Sequence, residues 1–180
     1  MRKFAALGLL TYLVSSVAIA QSHPEIPKRP QALRELDGHW IMSGDVMGKP
    51  VTYRMTAGPT LQGAFTEMHM NDVQRPSQYE ARVLIGYDPK ADRLIVHWID
   101  SFGAAYSIPH GSGSIDGNTL RFTFAYPSGP FRDTLAFHPG SKTWTLVIEA
   151  SKADGSWQHF ARYDIRREPA KPAGPSGKPH

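Results

Sequence analysis

Residues 79–101 read YEARVLIGYDPKADRLIVHWIDS, and this stretch constrains the fold more than any other part of the chain. Tyr79, Ala81, Val83 and Ile85 alternate with the polar Glu80 and Arg82, the period of a half-buried strand. Asp88-Pro89-Lys90-Ala91 ends the run. Pro89 presets φ for the second position of a type I turn and Asp88 can bond back to the backbone, so the chain reverses into a second strand over 92–100. With the loop over 88–91, Tyr87 is expected opposite Asp92, Ile85 opposite Leu94, Val83 opposite Val96 and Ala81 opposite Trp98. One side of the hairpin is then apolar, while the other carries Glu80, Arg82, Arg93 and His97. A hairpin with one core face and one wet face fixes the inward parity of every strand joined to it by a short turn.

No helix-period segment of useful length interrupts the rest of the chain. Short alternating runs fall roughly over 38–47, 51–57, 60–71, 78–87, 92–100, 105–115, 118–126, 131–137, 142–151 and 156–166, an all-β pattern. Gly48-Lys49, Gly58-Pro59, Asp116-Gly117 and the segments 127–130, 138–141 and 152–155 are hairpin-type links, so consecutive strands are expected to be antiparallel neighbours. That is an up-and-down meander of about ten strands. Closing it into a barrel removes two sticky edges, which favours a barrel over a sandwich.

Carried through those turns, the inward rows are Trp40, Met42 and Val46; Val51, Tyr53 and Met55; then Ala64, Thr66, Met68 and Met70. Beyond Asp100, the small residues Ala105, Ser107, Pro109, Gly111 and Gly113 face Leu120, Phe122, Phe124 and Tyr126, which predicts open space between the two walls. Phe131, Asp133, Leu135 and Phe137 follow, then Trp144, Leu146, Ile148 and Ala150. The last row is Trp157, His159, Ala161, Tyr163 and Ile165. Asp100, Asp133 and His159 are the inward groups that can carry charge.

The two ends of the chain read differently. Residues 1–20 open with Arg2 and Lys3, run through an apolar stretch too short and too interrupted to span a bilayer, and end Ala18-Ile19-Ala20, the pattern of a cleaved secretory signal. The expected location is periplasmic or secreted, with no membrane span. The chain has no Cys, so its core alone must hold it. Removal of Arg2 and Lys3 leaves 18 of the 20 basic residues against 16 acidic ones, too near neutrality and too dispersed for a nucleic-acid partner. Residues 21–35 read as an extended lead-in in which 31–36 form one helical turn able to lid an end of the domain. Residues 36–167 are the barrel, and the Pro-rich 168–180 cannot bury enough apolar surface to order.

Gly38-His39-Trp40 on the first strand is similar to the GxW signature of the calycin and lipocalin superfamily, in which a basic residue of the last strand, here Arg166 or Arg167, stacks on the Trp. The order LDGHW, YEARVLIGYD, VHWIDSFG, a Gly-rich strand and DGSWQHFARYDIRR resembles an uncharacterised family of secreted bacterial calycin-like domains, over about 36–167. The resemblance implies a calycin-like barrel and leaves the activity undefined. More distant nitrobindin-type relatives hold haem through a C-terminal His, which would be His159 here. Trp40 is followed by Ile41-Met42-Ser43, however, and not by the GxWxGxG pattern of those relatives.

The residues themselves favour a barrel that binds a small apolar molecule. Trp98, Phe122, Phe124, Tyr126, Phe131 and Tyr163 would form its walls, Gly111 and Gly113 its room, and His159, Asp133 and Tyr53 its polar contacts. Two alternatives stand beside this: a haem protein ligated by His159, and a barrel filled by its own aromatics that acts as an interaction module. Catalysis has little support. Ser107 is the only inward Ser and lies four strands from His159, and neither a GxSxG elbow nor a phosphate-binding glycine loop is present. His69 points away from Met68 and Met70 in a strand, and His97 and His110 share an outer face without zinc-site spacing, so no metal is expected. The oligomeric state stays open.

Overall fold

The structure, a computed structural model, describes residues 26, 28–108 and 110–169. A four-residue helix, α1 (Gln31–Arg34), precedes ten strands: β1 (Gly38–Val46), β2 (Lys49–Thr60), β3 (Phe65–Asp72), β4 (Glu80–Asp88), β5 (Arg93–Asp100), β6 (Gly111–Asp116), β7 (Thr119–Tyr126), β8 (Gly129–His138), β9 (Thr143–Ser151) and β10 (Trp157–Arg167). Each strand pairs antiparallel with the next, and β1 pairs with β10 from Trp40↔Arg167 to Val46↔Ala161, so the meander closes into a barrel. The expected signal segment and nearly all of the expected tail lie outside the described residues.

Strict alternation drives this arrangement. In β9, Trp144, Leu146, Ile148 and Ala150 are buried while the residues between them are not. In β3, Thr66, Met68, Met70 and Asp72 do the same, which carries the inward row one step beyond Met70 to an acid.

The structure corrects four local expectations. The 79–101 hairpin pairs Ala81 with Asp100, Val83 with Trp98, Ile85 with Val96 and Tyr87 with Leu94, a two-residue shift from the expected register. The loop covers 89–92, with Asp92 at φ 46° and the Asp88 carboxylate accepting from the Lys90 and Ala91 amides. A shift of two preserves parity, so every face is unchanged. Gly58-Pro59 is not a turn: both pair within the β2–β3 ladder, and reversal falls at Leu61, Gln62 and Gly63, all with positive φ. Residues 105–108 are not strand, because Gly103 at φ 84° turns the chain into a short 3-10 segment at Ala104–Tyr106, and Pro109 lies outside the described residues. Finally, a β-bulge between His159 and Ala161 reverses parity in the first part of β10.

One barrel end is sealed. Trp40 is fully buried, donates from Nε1 to the Leu36 carbonyl at 2.7 Å and lies under the Arg167 guanidinium, 3.8 Å from the ring centroid. Arg167 in turn donates to the Asp37 carbonyl at 2.6 Å. Gly38 has φ +133°, and a Cβ there would stand 1.9 Å from the Arg167 guanidinium, so glycine is what lets the stack form. Leu33 and Leu36, 1% and 0% exposed, plug the same end; roughly 2 kcal/mol apiece holds a helix too short to stand alone. The residue behind this lid is Arg29, which grips both Asp37 oxygens at 3.0 and 2.6 Å, Thr66 Oγ1 at 2.9 Å and the Leu33 carbonyl at 3.0 Å.

Candidate functional site

The opposite end is built differently. Phe160 meets Phe131 (5.1 Å between centroids), Phe131 meets Tyr126 (5.4 Å), Tyr126 meets Phe124 (6.2 Å) and Phe124 meets Trp98 (6.3 Å). Trp98 Nε1 then donates to Tyr79 Oη at 3.2 Å, Tyr79 packs on Tyr53 at 5.4 Å, and Tyr53 packs on Tyr163 at 5.7 Å. These eight side chains form a continuous aromatic belt through the half of the barrel opposite the lid, called the open half for its shorter β5–β6 seam. Trp98, Tyr79, Tyr126, Phe131 and Phe160 are only half-buried, whereas Trp40, Met42, Ile85, Leu94, Leu120, Leu135 and Ile165 at the sealed end are at most 1% exposed.

The wall itself is incomplete at this end. β5 and β6 pair over only three positions, Leu94–Val96 with Gly111–Gly113, while every other neighbouring pair shares five or more. Trp98 and Asp100 therefore have no β6 partner, and residues 101–108 follow as a loop. That loop presents Phe102 and Tyr106, 65% and 70% exposed, and Phe102 packs on Tyr79 at 5.6 Å, extending the belt outward.

Three inward carboxylates sit in the open half, and two are committed locally. Asp72 accepts from the Gln74 and Gln78 amides at 3.0 and 3.3 Å and ties down the loop after β3. Asp100 accepts from the Phe102 amide at 3.0 Å and from Tyr79 Oη at 3.3 Å. Asp133 is different. It is 4% exposed, no donor among the described residues reaches its carboxyl, and loss of hydration pushes its pKa up to about 8. At neutral pH it keeps its proton. It lies within electrostatic range of Tyr126 and Tyr163, so it addresses the belt. Burial also raises the pKa of Tyr53, Tyr79 and Tyr163, so all three phenols stay neutral.

Of the residues singled out in the sequence, the barrel brings together Tyr53, Trp98, Phe122, Phe124, Tyr126, Phe131, Asp133 and Tyr163 on its inner face. It does not bring His159 there. The bulge turns His159 outward opposite Glu149, about half exposed, where Nε2 meets Asp45 Oδ1 at 2.7 Å. Trp157 follows it outward and lies under Arg132, whose guanidinium is 4.4 Å from the ring. Phe160 takes up the inner position against Phe131, a residue the alternation had assigned to solvent. The expected room at Gly111 and Gly113 is also corrected. A Cβ at Gly111 would lie 2.7 Å from the Phe124 ring, and one at Gly113 2.7 Å from the Phe122 ring and 2.2 Å from the Arg121 carbonyl, so aromatic rings fill the space above both glycines. Ser107 is exposed in the 101–108 loop.

A haem does not fit these residues. Its expected ligand is on the outer face, with Nε2 hydrogen-bonded to Asp45. Two clefts open on the outer face. One, of about 410 Å³, is lined by Arg121, Phe122, Thr123, Arg132, Asp133, Thr134 and Glu149; the other, of about 250 Å³, runs along Thr56–Pro59 and is lined on its far side by Glu67, His69 and Arg82. Their charges pair with one another, Arg132 with Glu149 at 2.7 Å and Arg82 with Glu67 at 2.5 Å, so neither cleft matches the belt as a recognition surface.

The fold and its belt define a closed ten-stranded antiparallel barrel domain with one sealed and one aromatic end. The profile of the family described as "Protein of unknown function (DUF1579)" matches residues 25–167, and the chain belongs to that family. No curated protein matches it. The matched region takes in Arg29 and α1 as well as the ten strands.

Proposed function

We propose that this chain is an exported, calycin-like barrel that binds a small, largely apolar molecule in its open half. The observation that carries this reading is the contrast between the two ends: a sealed core below, and above it a belt of half-buried aromatics around the unpartnered carboxyl of Asp133. A protein that needed only a core would gain by filling both ends alike. Pockets that take small molecules combine apolar walls with a few placed polar groups, and the neutral phenols, Trp98 and Asp133 supply that combination. The gap between β5 and β6 at the 101–108 loop supplies a way in.

The reading is tested by titrating the protein with 2-naphthol while following tryptophan emission. Trp40 and Trp144 lie in the sealed end and Trp157 on the outer face, so a ligand in the belt changes chiefly the emission of Trp98. Saturable quenching that is lost in Trp98→Phe, with the variant still folded, is expected. Quenching that persists in Trp98→Phe would place the compound elsewhere and sink the proposal.

A further inference from the structure

We infer that the molecule this barrel takes carries a protonated amine, seated against the aromatic belt with Asp133 as its counter-ion. The inference rests on the binding reading above and specifies the chemistry of the same site. Its basis is the distribution of charge. The buried carboxyls among the described residues are Asp72 and Asp133, no Lys, Arg or His is buried, and the Arg121 and Arg132 that share a cleft with Asp133 are half-exposed and paired with Asp116 and Glu149. Asp72 and Asp100 are occupied in holding loops. Asp133 accepts no hydrogen bond among the described residues, although a carboxyl 4% exposed and without a donor is costly and is seldom kept where packing alone is needed.

The surroundings select among cations. A hard metal ion asks for six or more oxygens, whereas Asp133 offers two between Phe122 and Ile148 on the neighbouring strands, and no cluster of three or more His, Cys, Asp or Glu occurs among the described residues. An ammonium asks for less. Its N–H groups make charge-assisted hydrogen bonds to a carboxylate, and its positive charge is attracted to the negative faces of aromatic rings. Tyr126, which senses both Asp133 and Asp100, and Tyr163 stand where those faces are needed. An anion would meet the reverse, carboxyls and ring faces with no inward base.

Proton balance supplies the signature. Asp133 enters the encounter as –COOH and the ligand as R–NH3+. In the complex the pair is –COO⁻ and R–NH3+, so one proton leaves to solvent. A neutral ligand of the same shape leaves that proton in place.

The test is isothermal titration calorimetry of the purified protein at pH 7 with 2-phenylethylamine and tryptamine against their alcohols, 2-phenylethanol and tryptophol, in buffers of different ionisation enthalpy. The amines are expected to bind roughly tenfold or more tightly than the alcohols, with release of about one proton. Asp133→Asn should abolish both differences, so that each amine binds no more tightly than its alcohol and without proton release. Equal binding of amine and alcohol without proton release overturns the amine inference and leaves the apolar-binding reading standing. Binding of neither class overturns both. Should Asp133→Asn not fold, the proton count of the unmodified protein decides by itself.

Discussion

Replacing Asp133 with Asn changes almost no volume and removes one proton-binding site from a carboxyl 4% exposed. In the folded barrel that carboxyl holds its proton up to about pH 8, whereas the ordinary value is 3.8. Between those limits the unfolded chain has released the proton and the folded chain has not. Fewer protons are bound on unfolding, so stability falls as pH rises through the window and levels off above it. At 1.36 kcal/mol for each pH unit, the loss approaches roughly 6 kcal/mol, a ceiling that internal water would lower. Asn has no such dependence. Urea unfolding of both proteins from pH 4 to 9 should give curves that coincide near pH 4 and separate steadily, with Asp133→Asn the more stable by several kcal/mol at pH 8. Other shifted acids, such as Asp45 and Glu149, are common to both proteins and cancel in the difference. A separation independent of pH would mean that Asp133 ionises normally in the folded state, and the reasoning about the open half would fail with it.

The two buried tryptophans of the sealed end should respond oppositely to the same change. Trp40→Phe loses the Leu36 hydrogen bond and the Arg167 stack and should cost about 3 kcal/mol. In Trp144→Phe the loss of packing is offset because Trp144 Nε1 has no partner, so denaturant midpoints should place it within about 1 kcal/mol of the parent. Arg29→Ala strips donors from the buried Thr66 hydroxyl and the Leu33 carbonyl; a cost of about 2–3 kcal/mol is expected by urea unfolding, allowing for the partial exposure of Asp37. Gly113→Ala pushes a methyl against the Arg121 carbonyl and the Phe122 ring and should cost about 1–3 kcal/mol by thermal melting; unchanged stability would restore the open space between β6 and β7.

Most of the fold was legible because parity is a local property and turns transmit it. The 79–101 hairpin shows both the reach and the limit of that logic: its faces were right and its pairs were off by two, since a slip of two residues leaves every side chain on its own side. Asp133 was legible as an inward acid from its place between Phe131 and Leu135. His159 was not, because Trp157, His159, Ala161, Tyr163 and Ile165 alternate without a break, and nothing local marks the bulge. What decides it is distant in sequence: Asp45 on β1 holds the imidazole outside and Phe131 on β8 receives the Phe160 ring inside. The glycines misled for a related reason. A missing side chain reads as space, but the facing strand's Phe122 and Phe124 lay their rings over it. Arg29 carried no periodic signal, and its grip on Asp37 and Thr66 exists only once α1 is seated.

Native mass spectrometry of the protein recovered gently from the cells that make it is the sharpest test of whether the open half holds a small molecule. The belt and Asp133 predict a population carrying one non-covalent adduct, shed on denaturation and identifiable as an amine of largely apolar build. A protein that arrives bare under conditions that preserve weak complexes, and that gains no adduct when incubated with tryptamine or tryptophol, would contradict the binding function.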